Sequence, residues 1–234
     1  MIIRPLGASE LLITQPDHAA LAARILGAWE EDALRRSPRR REILLAVGEH
    51  DNGWQEVDAA PLLDPATGRM LDFTEAPADV RQAVWPRGVE RLSAASSYAA
   101  ALVAQHAIHI YGRWRDDDGW QSFFAVMQEA RNRELHRARQ SLEDLLADYQ
   151  FVRIGDLISL AFCNGWTDVE DDGFGRTVRF DRSRVAVTPN PFGGNAVPIE
   201  VTGREMPAGR FASDAEARRA FAAAPSKTLH GVVS

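Results

Sequence analysis

The feature that most constrains the fold is an acidic residue inside an almost wholly apolar segment. Residues 151–162 read FVRIGDLISLAF, and Asp156 is the only acid among them. A segment of this composition belongs in a hydrophobic core, where an unpaired carboxylate costs several kcal/mol. Arg153 is the only neighbour in the sequence that could neutralise the charge. The sequence therefore predicts that Asp156 is buried against a cation, either a side chain or a metal ion.

Two further segments place metal-binding residue types on apolar helix faces. Residues 14–17 (TQPD) are typical of a helix start, and the helix that follows carries His18 on an apolar face. A second predicted helix, from about residue 39 to 51, ends on His50 and Asp51. We interpret Gly53 as its C-terminal stop, since glycine accepts the left-handed conformation that ends helices. Imidazoles and carboxylates from separate helices would then converge on one point, which is typical of a cation site.

The remaining segments predict more helices and a few strands. We predict helices from about residue 96, over about 118–149 with a break within it, and over 213–224, whereas residues 58–92 are predicted to be irregular. Short β-branched or alternating runs near both ends predict antiparallel strands. The predicted fold is therefore mainly α, a helical bundle with a small antiparallel β-sheet formed by the N- and C-terminal segments. We predict one domain over residues 1–234, with a helical core at 14–165 and a β-rich extension at 166–234.

Composition argues against several classes of protein. The single cysteine, Cys163, allows neither an intrachain disulfide nor a Cys-rich zinc motif. The net charge of -6 argues against nucleic acid as a partner. Without a signal-peptide pattern or a long apolar stretch, we predict a cytoplasmic protein with no membrane partner. The basic cluster at residues 35–41 is interpreted as a solvated loop and helix start, with an anion-binding patch as the alternative.

The order of His18, His50-Asp51 and Asp156 resembles the HD superfamily of metal-dependent phosphohydrolases. In that superfamily four such residues hold a divalent metal inside a helical bundle, and residues 50–53 (HDNG) are similar to its His-Asp-x-Gly signature. This resemblance covers about residues 14–165 and implies an HD-type bundle. More closely, the chain resembles a bacterial family of no established activity, with a Gln-x-Asp-His start and a His-Asp-x-Gly-Trp centre. Residues 64–68 (DPATG) belong to the same resemblance.

The resemblance implies roles for specific residues. It implies one or two divalent ions (Mn, Fe, Ni, Zn or Mg), held by His18, His50, Asp51 and Asp156. Relatives with two metals use additional histidines, and we favour His106 over His109 as a further ligand because it lies directly above Leu102 in the helical stripe. The candidate catalytic acids are Asp51 and Asp58, and the candidate substrate-binding residues are Gln15, Trp54 and Gln105.

Two of these positions need comment. Asp58 or Gln105 could also support a ligating imidazole through its second ring nitrogen. Position 54 is Trp, where many phosphohydrolases of the HD type have a Lys that can contact phosphate.

Three functional hypotheses follow from this sequence. The first is a metal-dependent hydrolase that acts on a phosphoester or a similar anionic small molecule. The second is a two-iron HD-type oxygenase. The third is a degenerate HD module that binds a ligand or a partner without catalysis. The absence of a Gly-rich phosphate loop and of a dinucleotide fingerprint argues against a nucleotide cofactor, and the sequence indicates no oligomeric state.

Overall fold

The helices begin where the sequence offers capping side chains. In the computed structural model, which describes residues 1–234, the side chains of Thr14, Ser96 and Ser141 each accept a hydrogen bond from a backbone N–H in the first helical turn. These caps confirm the helix starts predicted near residues 14 and 96. The helices are α1 (Gln15–Gly27), α2 (Asp32–Arg35), α3 (Arg40–Glu49), α4 (Gln55–Asp58), α5 (Ala78–Ser93), α6 (Ser97–Ile110), α7 (Gln121–Ala138), α8 (Leu142–Asn164) and α9 (Asp214–Ala223).

Two helix predictions needed correction. The segment 58–92 is not irregular throughout, because α5 occupies its second half and contains Pro86. Burial of the α5 residues Val84, Trp85 and Val89 outweighs the hydrogen bond lost at the proline. The break predicted within the helix over 118–149 is confirmed and lies at Arg139, which adopts a left-handed conformation, but the second helix, α8, continues to Asn164, well beyond residue 149.

The predicted fold class was wrong about the sheet. Strands β1 (Ile2–Leu6), β2 (Ser9–Ile13), β3 (Val169–Asp171), β4 (Thr177–Asp181), β5 (Arg184–Thr188), β6 (Val197–Pro207) and β7 (Ser226–Val233) form one curled sheet in the order β1-β2-β6-β7-β5-β4-β3. Helices hold 52% of the residues and strands 19%, so the protein is not a mainly α bundle with a small sheet. The sheet is also mixed, because β5 and β7 run parallel while the other neighbours are antiparallel.

The unpredicted strand β7 explains the difference. Its sequence, SKTLHGVV, has little of the alternation that marks a strand. It becomes a strand because both of its edges are paired, one with β6 and the other with β5. Strand β7 thereby joins the strands β1, β2 and β6 on one side to β5, β4 and β3 on the other, in a single sheet.

The sheet and the helices share one large hydrophobic core. Helix α8 packs against α1, α3 and α6 and also against strands β1, β4 and β5. Gly155 permits the close approach, since a Cβ at this position would lie 2.9 Å from Val47 on α3 and 3.0 Å from Leu26 on α1. The next residue is Asp156, so this contact brings the acid to the centre of the helices. None of the helices combines the length and the hydropathy needed to cross a membrane.

Candidate metal centre

Three imidazoles and two carboxylates meet where α1, α3, α6 and α8 come together. Each of the five residues is at most 6% exposed. They are His18 on α1, His50 and Asp51 at the end of α3, His106 on α6, and Asp156 on α8. They form two overlapping triads that share His50, namely His18-His50-Asp51 and His50-His106-Asp156. The structure thus brings together all five residues that the sequence suggested as ligands.

His50 presents an unpaired ring nitrogen to both carboxylates. Its Nδ1 lies 2.7 Å from the Val47 carbonyl oxygen, and because a carbonyl can only accept, Nδ1 carries the donated proton. Nε2 is buried without a hydrogen bond, 3.4 Å from Asp51 Oδ2 and 3.4 Å from Asp156 Oδ1. A neutral imidazole would therefore direct a lone pair at two carboxylates, so the arrangement requires positive charge at this point, either on a protonated His50 or on a bound cation.

The spacing of these atoms suits a metal ion. Two ligand atoms that each lie about 2.1 Å from a tetrahedral zinc ion are about 3.4 Å apart. Both contacts of His50 Nε2 have this separation. His106 Nε2 lies 3.7 Å from Asp156 Oδ2, whereas His18 Nε2 lies at hydrogen-bond distance, 2.7 Å, from Asp51 Oδ2. The donor set of nitrogen and oxygen atoms fits a borderline divalent cation.

The electrostatics of the cluster favour positive charge at its centre. Burial lowers the pKa of His50, but Asp51 and Asp156 outweigh burial and raise it to about 9. Burial raises the pKa values of Asp51 and Asp156, but the neighbouring histidines outweigh it and hold both below the ordinary value. Burial lowers the pKa of His106 to about 3, so this imidazole is neutral at pH 7 with a lone pair available for a metal.

Residues behind the cluster orient two of its imidazoles. Ser159 Oγ lies 2.9 Å from His18 Nδ1 and also 2.9 Å from the Asp156 carbonyl oxygen, to which it donates. With its proton committed to that carbonyl, Ser159 can accept the Nδ1 proton of His18, so that Nε2 faces Asp51 Oδ2 in the free protein and would face a metal ion in the loaded one. The Tyr149 hydroxyl lies 3.1 Å from His106 Nδ1 and can hold this ring in place as donor or acceptor.

Replacing Ser159 is expected to weaken metal binding without removing a ligand. In Ser159→Ala, the Nδ1 proton of His18 loses its acceptor, and zinc affinity should fall by about 10- to 100-fold. Chelator competition measures this affinity. Cys163→Ala is the matched control, one turn further along α8, equally buried and outside the cluster. Equal zinc affinities for Ser159→Ala and Cys163→Ala would rule out the orienting role.

One side of the cluster opens into a cavity of about 800 Å³. Asp51, His106 and Asp156 reach its wall from the cluster. Much of the remaining wall consists of aromatic rings and charged side chains, namely Trp54, Phe73, Trp85, Tyr111 and Trp166 together with Arg113, Arg153, Asp168 and Glu170. A small molecule that enters this cavity can therefore reach the five-residue cluster.

The other predicted site residues divide between the cavity and the protein interior. Gln15, Trp54 and His109 line the cavity. Asp58 does not line it, since its carboxylate accepts from the backbone N–H of Gln15 and lies 2.7 Å from the amino nitrogen of Met1. Gln105 is also outside the cavity wall and accepts a hydrogen bond from Arg131. His109 contacts Tyr149 but belongs to neither triad.

The basic cluster at residues 35–41 lies away from the cavity. None of its arginines lines the cavity, and three of them form ion pairs, Arg35 and Arg36 with Asp32 and Arg39 with Asp148. These arginines therefore do not form an anion-binding patch beside the cavity, which was the alternative to the interpretation as a solvated loop and helix start.

The sequence interpretation missed several residues that surround the cluster. No role at the cluster was predicted for Ser159, Trp85 or Tyr149. One signal for Ser159 was available, because a hydroxyl group three residues after Asp156 in an apolar helix lies on the same face as the acid. No comparable signal exists for Trp85, which lies in a segment that we predicted to be irregular.

Comparison with known proteins identifies the family. A family model described as "Protein of unknown function (DUF3891)" matches residues 1–208, which include all five residues of the cluster and the whole cavity wall. Searches of curated proteins and of solved structures gave no match. Because the family model covers most of the chain, this protein belongs to the DUF3891 family.

Proposed function

We propose that this protein is a metal-dependent hydrolase that acts on a phosphoester or a similar anionic small molecule. The observation that carries the proposal is the unpaired Nε2 of His50 between two buried carboxylates. The cluster would hold one or two divalent ions through His18, His50, Asp51, His106 and Asp156. A divalent ion bound there supplies an activated water at neutral pH and offsets negative charge on the substrate oxygens.

The chain's own residues would bind the substrate and accept the proton. Asp51 uses Oδ2 for its contacts with His18 and His50, so Oδ1 is the oxygen that could accept a proton on the cavity side. The rings of Trp54 and Trp85 would exclude water from the substrate. Arg153, rather than a lysine at position 54, would supply positive charge beside the cluster.

The proposal predicts metal-dependent release of phosphate. Protein reconstituted separately with manganese, zinc, nickel or iron should hydrolyse at least one member of a panel of phosphomonoesters and phosphodiesters, and Asp51→Asn should reduce the rate at least about 100-fold. Cys163→Ala provides the matched control and should retain the wild-type rate. A protein that binds near-stoichiometric metal but hydrolyses no member of the panel would contradict hydrolase activity and favour the binding module.

The number of ligand residues in the cluster also favours a second candidate function. His50 could ligate one ion only, because its Nδ1 donates to Val47, but the five residues together could hold two ions, and two irons at such a site would support an oxygenase. This alternative predicts two iron ions per chain and consumption of oxygen in the presence of substrate. Hydrolysis of the substrate by an iron-free protein under nitrogen would exclude the oxygenase, because that activity would need neither iron nor oxygen.

A further inference from the structure

Arg153 lies beside the cluster with much of its hydrogen-bonding capacity unused. It is on α8, one turn before Asp156, and its guanidinium forms part of the cavity wall. Its one ion pair is a 3.5 Å contact between Nη1 and Asp156 Oδ2, the same oxygen that faces His106. A guanidinium has five N–H donors in a planar fork that matches oxyanions. Arg153 can therefore donate hydrogen bonds to a ligand oxygen without giving up a strong contact.

A bound divalent ion would leave the charge of Arg153 without a counterion. The ion would balance the charges of Asp51 and Asp156, and the neutral imidazoles would add none. Asp168 and Glu170 also line the cavity, but they are more exposed than Asp156 and are screened by solvent. The loaded cluster together with Arg153 would then carry net positive charge and attract an anion.

Trp85 offers a second donor beside His106. Its side chain is 3% exposed, and its buried Nε1–H makes no hydrogen bond of normal geometry, apart from a weak interaction with the Tyr111 hydroxyl. The ring centroids of Trp85 and His106 are 5.7 Å apart, and both residues line the cavity. Buried indole N–H groups are normally well paired, so a poorly paired one beside a cavity indicates a ligand acceptor. Arg153 thus contacts Asp156, and Trp85 contacts the neighbouring His106, at the wall of the same cavity.

We propose that Arg153 and Trp85 form an oxyanion subsite for a tetrahedral anion, such as the phosphoryl or phosphonyl group of a substrate. A tetrahedral anion has enough oxygens to face the cluster, the guanidinium and the indole N–H together, whereas a carboxylate has only two. This inference rests on the proposed function and deepens it, because it assigns the substrate's anionic group to a defined part of the cavity.

The test is the affinity of the zinc-loaded protein for inorganic phosphate, measured by calorimetry, with acetate as the comparison ligand. Wild type is expected to bind phosphate more tightly than acetate. Arg153→Gln and Trp85→Phe should each weaken phosphate binding by about 10-fold or more without changing zinc content. Trp85→Phe should keep its melting temperature within a few degrees, because the lost N–H makes no hydrogen bond of normal geometry in the free protein.

Matched controls come from the same cavity. Arg113→Gln removes an arginine that stacks on Trp114, 3.8 Å from the ring centroid, and Trp166→Phe removes another indole of the wall. Both should bind phosphate within about 2-fold of wild type, a change well below the tenfold loss expected at the subsite. Phosphate affinity that is unchanged in both Arg153→Gln and Trp85→Phe, or no tighter than acetate in wild type, would overturn the proposal. If Trp85→Phe does not fold, the phosphate affinity of Arg153→Gln alone decides whether the subsite is retained.

The experiment separates this inference from the proposed function. Phosphate binding that depends on Arg153 and Trp85 in a protein without hydrolase activity would retain the subsite and reject the hydrolase. Hydrolysis of a phosphoester with unchanged phosphate affinity and KM in both variants would retain the hydrolase and reject the subsite.

Discussion

Asp156→Asn is expected to lower the affinity for divalent metal at least about 100-fold, beyond the range observed when only a supporting residue is lost. Asp156 faces His50 with Oδ1 and His106 with Oδ2, so its replacement would change the carboxylate oxygens beside both of these histidines. Elemental analysis of protein purified without chelators should find near-stoichiometric metal in wild type and little in the variant.

Thermal or denaturant unfolding provides an independent measure of the same loss. Free metal at about 1,000 times the wild-type Kd should stabilise wild type by about 4 kcal/mol, but a variant with 100-fold weaker binding by only about 1.4 kcal/mol. The comparison requires the same metal concentration for both proteins. A variant that is stabilised as much as wild type would rule out Asp156 as a ligand.

Asp148→Asn is the matched control for this prediction. Asp148 is also on α8 and is as buried as Asp156, but it accepts hydrogen bonds from Tyr98 and Arg39 away from the cluster. Its loss should lower the free energy of unfolding and leave the metal content unchanged. Loss of metal in both variants would indicate a general weakening of the fold rather than loss of a ligand.

Gly53→Ala is expected to destabilise the protein by at least about 3 kcal/mol, at the upper end of the effects of overpacking. A Cβ on Gly53 would lie only 1.9 Å from the Val84 carbonyl oxygen and 2.8 Å from its carbonyl carbon. Both obstacles are backbone atoms of α5, which no side-chain rotation can move. We expect the melting temperature to fall by roughly 6–12 °C, given about 2–4 °C per kcal/mol for a chain of this size.

Gly27→Ala is the control for Gly53→Ala. Gly27 ends α1, where a Cβ would meet no atom within 4 Å. Its substitution should be neutral or stabilise the protein by up to about 1 kcal/mol. If Gly53→Ala melts within a degree or two of the control, the close approach of residues 52–53 to α5 would be disproved. Metal affinity should fall with Gly53→Ala, because displacement of this segment moves His50 and Asp51.

Gly53 also shows how a sequence signal can be recognised for the wrong reason. We predicted it as a helix stop in a left-handed conformation, but its φ is not positive and α3 already ends at Glu49. The position requires glycine because the 3₁₀ turn Asn52–Trp54 packs directly on the backbone of α5. A left-handed turn and a close approach both select glycine, and the sequence alone does not distinguish them.

The sequence determined the local features of this protein. Capping residues determined the start of α1, and an acid in an apolar segment indicated that Asp156 would be buried. These features depend on residues within one or two helical turns of each other, and such residues are close enough in the sequence to be recognised from it. Ligand residue types on or beside apolar faces singled out His18, His50, Asp51 and Asp156, and the resemblance to the HD superfamily added His106.

Tertiary structure alone decided the sheet and the surroundings of the cluster. Strand β7 exists because β6 and β5 pair with it from both sides, and Trp85 reaches the cavity because α5 forms around a proline when it packs on α6. Asp58 and Gln105, by contrast, are directed to partners outside the cavity, Met1 and Arg131. Such outcomes depend on contacts between residues far apart in the chain, whose energies outweigh the weak local preferences that a sequence pattern expresses.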